Sequence, residues 1–519
     1  MFSLGLSKLD VLTLAYLAAA VLFIFGLKML GKVESAARGN AVSAVGMLVA
    51  AVATFFYLTG GTVWSLALVG PAVLVGGMLG YLMASRVQMT QMPQMVALLN
   101  GFGGVASLLV ALADYFNWRL ASVMQRLAMS WYTPVLSREE QAAVDRFVLA
   151  SSPEELAQLA EAATPSWDTS LAIALAVVIG AVTFTGSIMA FGKLQGVRWA
   201  PDRPVQLPKQ AWIVFGLLGL CGVGAGLLIA EPEWWWAVVG MTAIAMGLGI
   251  LLVIGIGGAD MPVVVALLNS YSGIAAAMAG FVLNNVALII TGSLVGSSGL
   301  ILTSIMCKAM NRSLMNVLFG GMGAPPAPPT ASGSSSGGKV SQGTAQPASP
   351  EDAAIVLEAA RSVVVVPGYG MAVAQAQHAV KEFAAELDKK GIEVTYAIHP
   401  VAGRMPGHMN VLLAEAGVEY DVLLDLEPAN AKLAAADVAL VIGANDVTNP
   451  AARHDQSSPL YGMPILDVDA ARTVFVIKRS LNPGFAGIQN ELYFRDNTRM
   501  VFGDAKKVVT ELVGELEQI

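Results

Sequence analysis

Long apolar stretches dominate roughly the first three hundred positions. Runs near 9–31, 40–60, 62–84, 92–116, 168–192, 211–230, 234–257, 262–284 and 286–307 each reach about the 20 residues that a helix needs to cross a bilayer. After residue 350 the pattern changes. Amphipathic stretches at Glu351–Arg361, Met371–Lys390 and Ala505–Leu516 read as helices, and short apolar runs at Ser362–Pro367, Glu393–Ile398, Val422–Leu426, Val438–Gly443, Thr473–Lys478 and Met500–Phe502 read as strands. Strands alternating with helices predict a parallel, doubly wound sheet. The fold class is therefore a multi-span α-helical membrane domain (1–319) followed by an α/β Rossmann-like domain (351–519). The Pro-, Gly- and Ser-rich stretch 320–350 between them reads as a linker.

Composition sharpens this division. The chain is 55% hydrophobic and only 13% charged, against about 25% charged residues in soluble domains. Residues 351–519 carry 14 Lys/Arg against 23 Asp/Glu, a net −9, whereas 1–350 carry a net +2. An acidic soluble half argues against nucleic acid as a partner. The two cysteines, Cys221 and Cys307, both fall in apolar spans, and the four histidines lack metal-ligand spacing, so no metal site is expected. The first apolar run reaches spanning length without a small-residue cleavage site, so a cleavable signal is not expected. Loop charges orient the spans. With the N-terminus outside, the inner connections hold Lys28, Lys32, Arg38, Arg86, Lys193, Arg198, Arg203, Lys209, Lys308 and Arg312. An odd number of spans then puts the C-terminal domain in the cytoplasm. The long outer loop 117–167 contains Ser151-Ser152-Pro153-Glu154, a helix-start signal that predicts a small external helix.

Four motifs in the soluble half carry candidate chemistry. Gly368-Tyr369-Gly370 and Val373 follow a strand and open a helix, the context in which glycines admit a pyrophosphate to a helix N-terminus; a plain tight turn is the alternative. An NAD-binding sheet usually ends its second strand in an acid that holds the ribose 2′-hydroxyl. Here that strand runs to Ile398 and His399, and a later one ends in Lys478-Arg479, a basic pair suited to a 2′-phosphate unless it is simply solvated. This favours NADP over NAD. Gly443-Ala444-Asn445-Asp446 sets a carboxylate at the sheet's C-terminal edge, as a sensor of redox or protonation state or as a turn cap. Arg404, in Gly403-Arg404-Met405-Pro406-Gly407, offers a phosphate contact or a surface cation.

Ionisable groups are nearly absent from the interiors of the spans. The near-repeats Met92-Pro93…Asn100 and Met261-Pro262…Asn269 place the two asparagines about 12 Å and about 10.5 Å from the start of their helices. They can share one depth and one hydrated cavity, or merely bond neighbouring helices. Asp260 sits at the mouth of the second. Glycine pairs such as Gly76-Gly77 with Gly80, and Gly292 with Gly296, allow close helix approach.

The segments at 258–265, 269–273, 307–313, 368–375, 399–415, 443–446, 478–480 and 502–506 together resemble the β subunit of proton-translocating NAD(P) transhydrogenase, along nearly the whole chain. The resemblance implies an NADP(H)-binding domain fused to a proton-conducting membrane domain in a bacterial inner membrane. It implies a partner α subunit that binds NAD(H), and a dimer of αβ units. Hydride passes directly between the nicotinamides while protons flow inward. By this resemblance Gly368, Tyr369, Gly370 and Val373 lie at the pyrophosphate, Arg404 helps hold the nucleotide, and Lys478 and Arg479 read the 2′-phosphate. Gly443 and Asn445 adjoin Asp446, which couples at the nicotinamide end. Gly503 and Asp504 lie near the adenosine, and Asn269 and Asp260 lie on the proton path. The chain departs from the family at Asn100, where many members have histidine, at Phe485, where some have tyrosine, and in the length of 117–167. A nucleotide-sensing transporter or channel with a regulatory Rossmann domain is the alternative reading.

Overall fold

The computed structural model describes residues 8–30, 33–58, 63–87, 91–135, 165–201, 205, 207–257, 260–319, 344–404, 407–456, 458, 460–484 and 486–519. The expected helix at Ser151, Phe485 and residues 320–343 of the expected linker lie outside them.

Nine described helices are long and apolar enough to cross a membrane. They are α1 (Lys8–Leu30), α2 (Val33–Leu58), α3 (Val63–Arg86), α4 (Met92–Val135), α5 (Trp167–Gln195), α6 (Gln210–Ala230), α7 (Trp235–Ile254), α8 (Met261–Val282) and α9 (Val286–Ala309). A short α10 (Leu314–Phe319) follows. The second helix begins at Val33 rather than near 40, and the largest difference from expectation is at the end of α4. Helix α4 does not stop near 116 but runs on to Val135, so 117–135 is helix rather than loop. Polar residues such as Asn117 and Arg119 end the apolar run without ending the helix. At about 1.5 Å per residue its 44 residues span about 66 Å, twice a hydrocarbon core of about 30 Å.

Small residues set the closest packing. A Cβ on Gly273 of α8 would lie 2.5 Å from the Gly296 backbone nitrogen of α9, and one on Gly292 would lie 2.5 Å from that of Ala277. The Ser270 hydroxyl donates to the Gly296 carbonyl at 2.6 Å across the same seam. Gly76, Gly77 and Gly80 of α3 meet nothing within 4 Å, so their expected role in packing is not met inside the described chain.

The soluble half contains α11 (Pro350–Glu358), β1 (Ser362–Pro367), α12 (Tyr369–Val373), α13 (Gln377–Lys389), β2 (Glu393–Ala397), α14 (His408–Glu415), β3 (Leu423–Leu424), α15 (Leu426–Leu433), β4 (Val438–Ile442), α16 (Ala451–His454), β5 (Thr473–Lys478), β6 (Thr498–Phe502) and α17 (Ala505–Gln518). The six strands are parallel, in the order β3-β2-β1-β4-β5-β6. This is the doubly wound order, with its switch point between β1 and β4. Strands β1 and β4 are buried along nearly their whole length, as strands covered on both faces must be. The helix expected over Met371–Lys390 is two helices, broken where Gln375 turns left-handed at φ 51°. Leu426, expected to end a strand, instead begins α15. Pro347 bridges Met500 at the sheet edge, and the Met500 N–H donates to the Gln346 carbonyl at 2.7 Å.

Candidate functional site: a crevice at the switch point

The loops that leave β1 and β4 meet at their C-terminal ends. Gly368 donates its N–H to the Ile442 carbonyl at 2.9 Å, and Gly370 donates to that of Gly443 at 3.0 Å. A Cβ on Gly368 would lie 2.4 Å from the Ala444 backbone, and one on Gly443 would lie 2.4 Å from the Gly370 Cα. Gly443 also stands at φ 68°, a conformation that carries a steric cost for any residue with a Cβ. The three glycines are thus required by contact between the loops. The same contact takes up the Gly368 and Gly370 N–H groups where α12 begins, at the crevice floor. Val373, at the far end of this five-residue helix, is exposed and does not crowd the strands.

A polar network stands on one side. The Asn445 amide lies between the Tyr493 hydroxyl at 2.8 Å and two donors, the Gly484 N–H at 2.7 Å and Lys478 Nζ at 3.3 Å. With its oxygen towards those two donors it accepts from both, and its NH2 donates to the tyrosine oxygen. Asn490, buried behind it, donates to the Asn445 carbonyl at 2.9 Å and to the Thr448 hydroxyl at 3.2 Å. Asp446 accepts the Ala486 N–H at 3.0 Å. Gly484 and Ala486 therefore each bond through the backbone to the residues expected to do the chemistry. Lys478 Nζ sits 5.0 Å from the Tyr493 ring and donates to the Asn482 carbonyl. Burial lowers its affinity for a proton, and the Asp446 charge opposes this. Burial pushes the Tyr493 hydroxyl up.

The expected basic pair is divided. Lys478 is half-buried beside Asn445 and Asp446, whereas Arg479 is exposed. Gly503 joins them through the backbone, donating to the Lys478 carbonyl at 3.1 Å. Asp504 caps α17, accepting the Lys506 N–H at 3.1 Å. Residues 478–479 and 503–504 thus form one corner, at the ends of β5 and β6.

Arg404 stands on the opposite side. Gly403 at φ 111° turns the chain so that the Arg404 N–H reaches His408 Nδ1 at 3.1 Å. The guanidinium lies over the Tyr369 ring at 4.4 Å, a cation–π arrangement. Its Nη1 also donates to the Leu194 carbonyl of α5, in the membrane half, at 3.1 Å. Two histidines support this side. Burial, with the Arg404 charge, pushes His408 down to about 4. Burial pushes His399 down to about 4, and its Nε2 lies 2.8 Å from the Pro464 carbonyl while Nδ1 accepts the Val401 N–H. Beyond β2, where an NAD site carries an acid, stand the apolar Ile398 and this neutral His399.

In the membrane half, Asn100 donates to the Val265 carbonyl of α8 at 3.2 Å. By helical periodicity that carbonyl belongs to the turn closed by Asn269, so the two asparagines reach one level. Asn100 is buried and Asn269 half-buried. Asp260 pairs with Arg312, whose Nη1 lies 2.7 Å from both carboxylate oxygens. That partner was not legible in the sequence, because 52 positions separate the two residues and nothing marks them as a pair.

A model of the NAD(P) transhydrogenase beta subunit family matches residues 12–515. The NAD(P) transhydrogenase subunit beta of Rhodospirillum rubrum, found for the species and for one strain, is 46% identical over 499 residues. The match covers 96% of this chain and 97% of that protein.

Proposed function

The chain belongs to the NAD(P) transhydrogenase beta subunit family, and on that premise we propose that it binds NADP(H) in the switch-point crevice and couples hydride exchange with NAD(H) to proton movement. The observation that carries the nucleotide choice is the crevice itself. It offers cations at two corners, Arg404 and the Lys478–Arg479 pair, and presents no acid beyond β2. A ribose hydroxyl would find no carboxylate there, whereas a 2′-phosphate would find charge-assisted donors.

When bound, the nicotinamide supplies or takes up the hydride. The chain's own residues position it. The side-chain-free turn at Gly368–Gly370 lets a pyrophosphate come close to the start of α12, with Val373 at the end of the same turn. Arg404, stacked on Tyr369, holds the nucleotide from one side. Lys478 and Arg479 hold the 2′-phosphate beside Gly503 and Asp504. Asn445, held at its side chain by Tyr493 and at its backbone carbonyl by Asn490, orients Lys478 next to Asp446. Asp446 carries the charge that responds to the state of the ring.

Protons move through the membrane half. Asn100 and Asn269 flank a hydrated path, and Asp260 with Arg312 guards its mouth. Amides do not titrate, so Asn100 orients water rather than carrying a proton. The α subunit of such an enzyme supplies the NAD(H) site, and αβ units pair in a dimer. The protein lies in a bacterial inner membrane with its C-terminal domain in the cytoplasm. The family does not favour the transporter alternative.

The test is NADPH-dependent reduction of an NAD analogue by membranes containing this chain and its α subunit, with internal pH recorded. Reduction that moves no protons removes the coupling claim. Equal use of NADH and NADPH at this subunit's site removes the nucleotide assignment.

A further inference from the structure

Arg404 belongs to the crevice and to the membrane half at once. Its backbone is fixed by Gly403 and by the bond to His408, and its guanidinium lies on Tyr369. The same guanidinium reaches Leu194, the penultimate residue of α5. That carbonyl belongs to the last turn, where the helix leaves its oxygens without intrahelical donors and carries partial negative charge. Gly196, at φ 68°, ends the helix there, and the backbone closes on Lys193 and Gly192 rather than on Leu194.

A second donor shares this oxygen. Gln94 Nε2, in the first turn of α4, donates to it at 3.2 Å. Gln94 Oε1 is buried and has no hydrogen-bond partner. A buried oxygen without a donor is destabilising, so the Gln94 amide rests in an arrangement that is not its best. Six residues further along α4, about 9 Å on, Asn100 holds the Val265 carbonyl.

We propose that Arg404 is a positioning residue that reports the filling of the nucleotide crevice to α4, through the Leu194 carbonyl it shares with Gln94. The proposal rests on the reading that the crevice binds NADP(H). A guanidinium bond to phosphate is charge-assisted at both ends and outweighs one to a neutral carbonyl. Phosphate in the crevice draws Arg404 away. Leu194 is then held by Gln94 alone, and the first turn of α4 resettles. Since Asn100 lies on the same rigid helix, its hold on Val265 changes with it.

The full chain with its partner subunit, in lipid nanodiscs, provides the test. Hydrogen–deuterium exchange is followed at 192–198 and 92–98 with and without NADPH, and NADPH binding is measured separately by its fluorescence. In the unmodified protein NADPH should change exchange at both segments at least threefold. Arg404→Met, at saturating NADPH, should abolish both changes. Gln94→Leu should leave the NADPH Kd within twofold and keep the response at 192–198, but lose it at 92–98. A response at 92–98 that survives in either variant overturns the proposal, as does its absence from unmodified protein with NADPH bound. If the unmodified protein binds no NADPH, the functional reading itself fails and takes this proposal with it.

Discussion

The two halves of the chain hold their polar side chains in different ways. In the membrane half several long-range bonds run from a polar side chain to a backbone carbonyl on another element. Asn100 takes Val265, Gln94 takes Leu194, Ser270 takes Gly296, and Gln210 takes Leu251. Lys193 takes the Ile254 and Ile256 carbonyls. In the soluble half side chains also hold one another, as in the Asn445–Tyr493–Asn490–Thr448 network or the Arg453 pairs with Asp467 and Asp469. Lipid removes water as an alternative partner, so a polar group there is satisfied by what is densest, which is backbone. The result pins helices to one another. In the soluble half networks orient charge. Arg404 carries a bond of the membrane kind across the boundary, from the soluble half to a carbonyl of α5.

That contrast is tested most severely at the phosphate corner. Charge-assisted contacts are worth about 1.5–3 kcal/mol each, so replacing both Lys478 and Arg479 by alanine should weaken NADPH binding about a hundredfold or more and leave NADH binding almost unchanged. Calorimetry on residues 344–519 and on the full chain measures this, and equal losses for both nucleotides would place the pair outside the 2′-phosphate site. The next effect is steric. Gly443→Ala adds a methyl group 2.4 Å from Gly370 at a left-handed position, which should cost about 3 kcal/mol in chemical unfolding of residues 344–519. A loss below about 1 kcal/mol would mean that the loops part easily.

A third expectation concerns pH. His399 and His408 are both depressed to about 4, below the ordinary histidine value of about 6.5. Unfolding lets them take up protons, so their contribution is complete above about pH 6.5 and is lost as pH falls towards 4. At about 1.4 kcal/mol per pH unit for each histidine the loss is up to about 3 kcal/mol apiece. His399→Gln should flatten the stability profile of residues 344–519 between these limits, and an unaltered slope would show the ring to be solvated. The smallest effect belongs to the membrane half. Asn100→Leu removes one interhelical bond, worth about 0.5–1.5 kcal/mol, so the protein should keep nearly all its stability while proton movement stops. Hydride exchange within the soluble parts should continue. Normal pumping by the leucine variant would leave Asn100 as a packing residue.

Much of the fold was legible because its signals are local. Ser362–Pro367 and Thr473–Lys478 form strands with the expected limits, since β-branched runs between breakers leave few choices. The spans follow from length alone. What escaped lacks a local signal. No glycine marks the break at Gln375. Leu426 opens α15 because Asp425 and Glu427 favour a helix start, although its apolar side chain continues the preceding run. Among the site residues, the glycine turns and Asp446 could be read from strand-end context. Arg404's hold on Leu194 could not, because its acceptor is a main-chain oxygen 210 positions away, and every residue has one.

The junction of Gly368, Gly370 and Gly443 bears on how such a crevice can change over time. A side chain on Gly368 or Gly370 would need space held by Gly443, and one on Gly443 would need space held by Gly370. They form one locus spread over two loops, and a change at any one restricts what the others tolerate. Variation in this sheet should therefore accumulate at its rim, around exposed Arg479 and Val373, while the junction stays fixed. Attempts to alter nucleotide preference are best begun at that rim.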